Sequence, residues 1–203
     1  AVAEADSLWK ERDDRGQLVA ALAKYEEAYA ADPNNQHVAV QLTRGYYFLG
    51  DAHESELEAK ATQWQTSIEW GKRCVAINAD FTALLEKGDE DEISAIEKAA
   101  TKDDVPCLYW TATSLGKWAK DTQSLSTLLK HKDTVKKYIE TVDRLDPEYY
   151  HGAASRYWGA YYAALPSFAG RDYDMSAAKF AESLELAPHS LSTKVLWADR
   201  WAV

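Results

Sequence analysis

The chain has 203 residues, a formal net charge of −10, 46 % apolar residues and 12 % aromatics. That length allows one domain with a sizeable core, and the apolar content excludes general disorder. Lys and Arg are interspersed with Asp and Glu, which argues against a phosphate-tracking groove or a large membrane-surface patch. No apolar run reaches the roughly 20 residues of a bilayer span.

Only nine Gly and five Pro are present, and Ala is abundant. Strand-rich folds need more turn residues, so the composition favours helices. Ala1 to Trp9 hold no basic-then-apolar signal segment. A first helix is expected at roughly Ala3 to Arg12, carrying Leu8 and Trp9. Gly16 is read as permitting a tight turn after it. Leu18, Ala21, Leu22, Tyr25, Ala28 and Tyr29 then recur at helical spacing, and Asp32-Pro33-Asn34-Asn35 ends that helix.

The spacing Ala21, Tyr25, Ala28, Pro33 reads as the second helix of a tetratricopeptide repeat. Small residues there let two antiparallel helices approach, and the aromatic ring wedges between repeats. Tyr46, Tyr47, Leu49, Gly50 and Asp51 read as the end of the next first helix. Ser67, Gly71 and Cys74 belong to its partner, which closes at Asn78-Ala79-Asp80. An insertion from about Leu84 to Thr101 has helical character at Leu85, Ile93 and Ile96, around an acidic turn, Gly88 to Glu92. Asp103-Asp104-Val105-Pro106 reads as a helix start. That helix carries Tyr109, Trp110, Leu115 and Trp118; its partner carries Val135, Ile139 and Val142 and stops at Asp146-Pro147. A fourth pair contains Tyr157, Trp158, Tyr161 and Tyr162, then Ala177, Phe180, Leu184 and Ala187-Pro188.

The terminators Pro33, Ala79, Pro147 and Pro188 are separated by 46, 68 and 41 residues, against about 34 for a regular tetratricopeptide array. The expected fold is therefore all-α: a right-handed solenoid of antiparallel helix pairs with about four degenerate repeats. Their expected bounds are 2–35, 36–80, 105–147 and 148–188, with a capping helix at 190–203, all in one domain, 1–203. Cys74 and Cys107 each sit in an apolar helical pattern and are read as small buried hydrophobes. They would pair only if the fold brought their Cα atoms within about 7 Å.

Three motifs narrow this reading. Val105-Pro106-Cys107-Leu108-Tyr109-Trp110 with Gly116 is the first. Leu145-Asp146-Pro147-Glu148-Tyr149-Tyr150-His151-Gly152 is the second. Trp158-Gly159-Ala160-Tyr161-Tyr162-Ala163-Ala164-Leu165-Pro166 is the third. With them the chain, from about Ser7 to Val203, resembles the T-component of TRAP transporters. That family consists of periplasmic, often lipid-anchored helical-repeat proteins associated with ATP-independent transport. The resemblance implies a non-catalytic periplasmic binding and scaffold subunit. Its expected partner is the solute-binding P-component, with homo-oligomerisation as a second expectation. Two departures stand out. No lipobox cysteine is present, so membrane attachment is expected only through an anchor this chain does not carry. The resemblance also leads one to expect further helices beyond Val203. The alternative is a generic cytoplasmic tetratricopeptide adaptor; such adaptors line their groove with Lys and Arg to hold a peptide carboxylate.

First helices of such an array line a concave face, where unpacked aromatics suit a ligand or peptide. Candidates are Tyr47, Tyr109, Trp110, Trp118, Tyr157, Tyr161 and Tyr162. The same spacing also suits inter-repeat core, and a one-residue change of register exchanges the two roles. Arg44 and Arg156 lie beside these rings. Each is read either as a bidentate clamp for a carboxylate or as an intra-repeat ion pair. The expected ligand is small and apolar or carboxylate-bearing. His151 is read as a cap of the preceding turn or as a ligand contact. The five histidines, His37, His53, His131, His151 and His189, show no metal-ligand spacing. His53-Glu54-Ser55-Glu56 is a lone cluster in a turn. No nucleophile-elbow, P-loop or dinucleotide motif occurs, so no enzyme activity, cofactor or nucleic-acid partner is expected.

Overall fold

The computed structural model describes the chain except residues 89, 123, 124, 166, 168, 169, 202 and 203, and the side chains from 122 to 129. Asp89 of the acidic turn, Pro166 of the third motif and the last two residues of the terminal helix thus lie outside the described residues. Among those described, all regular structure is helical. The helices are α1 (Val2–Lys10), α2 (Arg15–Ala31), α3 (Gln36–Phe48), α4 (Leu57–Val75), α5 (Ala79–Glu86) and α6 (Glu92–Ala99). They continue with α7 (Val105–Thr122), α8 (Leu125–Leu145), α9 (Tyr149–Ala164), α10 (Tyr173–Leu186) and α11 (Leu191–Trp201). A π-turn, Leu49–His53, follows α3, and a short 3-10 turn, Lys102–Asp104, precedes α7.

Helix starts are written locally. Asp14, Asn35, Asn78, Asp91 and Asp172 each accept from the backbone N–H three residues on, at 2.8 to 3.2 Å. That satisfies one of the orphaned amides of each first turn. Gly16 does not make the turn expected of it: it is the second residue of α2. A Cβ there would sit 3.1 Å from Asp14 Oδ1, so glycine clears room for the capping carboxylate.

The chain forms two compact units, Ala1–Tyr138 and Ile139–Val203. In the first, successive helices double back on each other. Tyr25 of α2 is fully buried and ties three helices together. Its hydroxyl donates to Asp6 Oδ1 of α1 at 2.7 Å and accepts from Gln41 Nε2 of α3 at 3.3 Å. Burial, then the bond to Asp6, pushes the phenol well above its ordinary pKa, so it stays a donor. Leu18, Ala21, Leu22 and Ala28 fill the core around it.

Helices α4 and α7 run antiparallel along a seam of small residues. Ser67 Oγ lies 2.6 Å from Ser114 Oγ and 2.6 Å from the Thr43 carbonyl oxygen. A Cβ on Gly71 would fall 2.2 Å from Thr111 Oγ1, so only glycine fits there. One turn further on, Cys74 and Cys107 form a disulfide, with their Cα atoms 5.5 Å apart. This corrects the reading of two separate buried hydrophobes. Both sulfurs point into the seam, because α4 and α7 are neighbours despite the insertion between them.

In the second unit, α9 packs antiparallel on α10, and α11 closes over both. The Phe180 ring lies against Gly159, and Ser176 Oγ donates to the Gly159 carbonyl at 2.7 Å. Trp197 of α11 stacks on Phe180 with centroids 5.5 Å apart. The outer face of α11 leaves Leu191 and Val195 exposed.

The start of α9 is unusual. Tyr150, His151 and Gly152 have φ of 45°, 63° and 65°, a left-handed turn that only glycine adopts without strain. Gly152 is required twice over, since a Cβ there would also meet the Ser183 backbone at 3.1 Å. Two outcomes follow. Tyr25→Ala should lower stability by about 3–5 kcal/mol in denaturant melts, and Tyr25→Phe by roughly 1.5–3 kcal/mol through the lost bond to a carboxylate. His151→Gly should raise stability by about 0.5–1 kcal/mol: relief of left-handed strain exceeds the added entropy of the unfolded chain. A destabilised His151→Gly protein would contradict the strained turn.

Candidate functional site

The residues singled out from the sequence gather in two places, one in each unit. In the first unit, Arg44 and Tyr47 lie on α3, and Tyr109 and Trp110 on α7. The structure adds two rings that the sequence reading did not place in a site, Trp9 of α1 and Phe48 of α3. The Arg44 guanidinium sits 5.1 Å from the Trp9 ring centre, 5.4 Å from Phe48 and 5.2 Å from Trp110. Each ring face attracts a cation, so three rings from α1, α3 and α7 hold the planar group. Tyr47 extends the cluster, 5.7 Å from Phe48 and 5.6 Å from Trp110, and Tyr109 meets Trp110 at 5.0 Å.

Burial separates their roles. Trp110 is 2 % exposed and Tyr109 7 % exposed, so they form the wall. Arg44 and Tyr47 are half-buried and form its accessible part. Helical spacing explains the arrangement. Arg44, Tyr47 and Phe48 lie within about one turn of α3 and so share a face. The face of α7 that carries Trp110 borders α3.

Trp118 lies two turns further along α7, half-buried, and its ring packs against His131 of α8 at 6.0 Å. Burial, then the neighbouring Lys130 charge, holds His131 below its ordinary pKa. Lys117 forms an ion pair with Asp51 of the π-turn at 2.6 Å and lies over the Trp64 ring. His53, from the lone polar cluster, bonds to the Arg12 carbonyl at 3.0 Å, while Glu54 pairs with Arg15.

In the second unit the residues are Arg156, Tyr157, Tyr161 and Tyr162, all on α9. Tyr157 and Tyr161, one turn apart, stack with centroids 6.4 Å apart, and Trp158 and Tyr162 meet Tyr161 edge-on at 5.4 and 5.6 Å. Trp158 is buried, and the three tyrosines are half-buried. Arg156 points elsewhere. It is 6 % exposed. Its Nη1 donates to the His151 carbonyl at 3.2 Å and to Thr193 Oγ1 at 3.4 Å, and its Nη2 to the Tyr150 carbonyl at 3.5 Å. Its fork holds the carbonyls of the left-handed turn. His151 itself is exposed, with its ring 5.7 Å from that of Tyr150.

Among the described residues, no group of three His, Cys, Asp or Glu could hold a metal ion. No described helix is long and apolar enough to cross a membrane. A search of curated proteins found no match to the chain. A family model for the TRAP transporter T-component does match, over residues 15–203. This match spans nearly the whole chain and includes all three motifs, and the protein therefore belongs to the TRAP transporter T-component family.

Proposed function

We propose that this protein is a non-catalytic binding and scaffold subunit of a TRAP-type transport system, working in the periplasm and engaging the solute-binding P-component. In this reading α1–α4 and α7–α10 supply four degenerate tetratricopeptide-type helix pairs, with α11 capping the second unit. Small-residue contacts such as Gly71 against Thr111 support that reading, because they are what close helix pairing needs. The Cys74–Cys107 disulfide supports an oxidising compartment, where such bonds persist.

The observation that carries the binding role is Arg44 held across α1, α3 and α7 by three aromatic faces. A cation set among ring faces gives an apolar surface one fixed positive charge, which suits an acidic group on its partner. The surrounding rings suit an apolar body attached to it. The favoured occupant is thus a segment of the P-component, or a small ligand, that joins an acidic group to apolar surface. Tyr47 and Tyr109 belong to the same surface. Trp118 lies further along α7 of the same unit, and Tyr157, Tyr161 and Tyr162 form a separate aromatic surface of the second unit. Arg156 acts on that second surface indirectly, through the backbone at the start of α9.

Titration of the protein with its P-component by calorimetry tests this. The expected result is a complex that weakens about tenfold or more in Arg44→Ala and in Tyr47→Ala. Both variants should keep the wild-type helical signal. A wild-type pair that stays separate at concentrations on the order of tens of micromolar would overturn the reading. The disulfide makes a separate prediction. It closes a loop of 33 residues, worth about 4 kcal/mol by chain entropy. Cys74→Ser with Cys107→Ser should lower Tm by roughly 10 °C, and an unchanged Tm would mean that the bond does not form.

A further inference from the structure

The Arg44 site holds a second cation, Arg12, to which the sequence reading gave no role. We infer that Arg12 and Arg44, both seated on Trp9, act as one paired guanidinium site, and that the P-component segment it receives presents two carboxylates, one to each. The inference rests on the binding role proposed above and specifies the charge pattern of the partner.

The two cations reach the same ring from different elements. Arg44 comes from α3, with its guanidinium 5.1 Å from the Trp9 ring centre. Arg12 lies in the turn after α1, with its guanidinium 5.3 Å from that centre. Both are drawn to the electron-rich indole. Trp9 is itself buried, which fixes the ring and with it the spacing of the two charges. Both arginines are half-buried. Trp9 and Arg12 precede the region matched by the family model, which begins at Arg15, so the match assigns no role to either.

Arg12 is built into its place. Its Nη1 donates to the Trp9 carbonyl at 3.2 Å, and its own carbonyl accepts from His53 Nε2 at 3.0 Å, which ties this turn to the π-turn after α3. An arginine that closes a helix end commonly bonds one of the last carbonyls. That role uses Nη1 alone. Nε and Nη2 find no acceptor among the described residues, so one edge of the fork is left for a ligand.

Charge points to the occupant. Asp and Glu outnumber Lys and Arg by 33 to 23, and nearby cations have taken partners: Arg15 pairs with Glu54, and Lys117 with Asp51. Arg12 makes no ion pair among the described residues, although Glu11, Asp13 and Asp14 stand beside it in the chain. Two like charges on one ring repel each other, and an anion brought to each removes that cost. Two acidic side chains one helical turn apart, about 5–6 Å between Cβ atoms, match two cations that share an indole. Phe48 and Trp110, which also face Arg44, suit apolar side chains of the same segment.

Calorimetric titration of the full chain with its P-component tests the pairing, with Arg12→Gln, Arg44→Ala and the double variant set against wild type. Glutamine keeps an N–H donor for the Trp9 carbonyl and removes the charge, so Arg12→Gln should retain the wild-type helical signal. It should weaken the complex about tenfold, and the double variant about a hundredfold, because each guanidinium meets its own carboxylate. Raising NaCl from about 50 to about 500 mM should weaken the wild-type complex more than the Arg12→Gln complex. Arg12→Lys, which restores the charge without the planar fork, should recover the salt sensitivity and only part of the affinity. Wild-type affinity and salt sensitivity in Arg12→Gln, beside a weakened Arg44→Ala, would overturn the pairing and leave the Arg44 reading standing. A double variant no weaker than Arg44→Ala alone would also overturn it, since a single carboxylate would then be shared. A wild-type pair that stays separate at concentrations on the order of tens of micromolar removes both readings.

Discussion

The contact between α4 and α7 is the constraint on which the first unit depends. A Cβ on Gly71 would overlap Thr111, so the two backbones come as close as glycine permits. That closeness lets Ser67 reach Ser114 and lets Cys74 reach Cys107. It also determines where α7 lies against α3, with Tyr47 and Phe48 touching Trp110. Were α7 to move outward by the width of a methyl group or two, Trp110 would leave the Arg44 guanidinium. The accessible aromatic surface thus rests on a buried seam whose closest contacts are made by Ser, Gly, Thr and Cys. Dispersion and cation–π contacts fall off steeply with separation, so a seam without slack is what keeps the rings on the cation.

What the sequence revealed was what local periodicity and capping chemistry control. The Ala21-Tyr25-Ala28 spacing marks a helix whose small residues face its neighbours, and Tyr25 is buried there as that pattern implies. Asp and Asn cap five helix starts, two of them, Asn35 and Asn78, at positions read from the sequence as helix ends. The insertion was visible because Leu85, Ile93 and Ile96 keep helical spacing around an acidic turn. Other features depended on contacts that no local window contains. Cys74 and Cys107 each look like ordinary core residues until α4 and α7 are placed side by side. Trp9 joins Arg44 only through the packing of α1 on α3. Tyr150 carries no signal for a left-handed backbone and His151 only a weak one, histidine entering that region more often than most residues; Gly152 beside them is the stronger hint. Membership of the TRAP transporter T-component family was legible from the motifs around Trp110, Gly152 and Tyr161. The direction in which each aromatic side chain points was not.

Arg44 and Arg156 make the same point in chemical terms. Both lie on helices beside aromatic residues, and from sequence they carry the same two readings. The structure gives them different tasks because their neighbours differ in polarity. Around Arg44 the neighbouring groups include three ring faces, which attract the guanidinium by its charge and not through its N–H donors. Around Arg156 they are the carbonyls of Tyr150 and His151 and the Thr193 hydroxyl, which engage those donors directly.

The second arrangement explains how a strained turn persists. Left-handed geometry at Tyr150 and His151 costs roughly 1–2 kcal/mol per residue, and their two carbonyls meet the Arg156 guanidinium in a part-buried setting. A buried carbonyl without a donor adds a further penalty of about 1–3 kcal/mol. A neutral donor would satisfy one such oxygen. A guanidinium satisfies both with charge-assisted bonds, and because it is planar and rigid it also holds them at a set separation. Gly152 completes the device by letting the turn rest on the Ser183 backbone. The backbone geometry at the head of α9, and with it the direction in which Tyr157, Tyr161 and Tyr162 leave the helix, is thus held by one buried charge acting on the main chain.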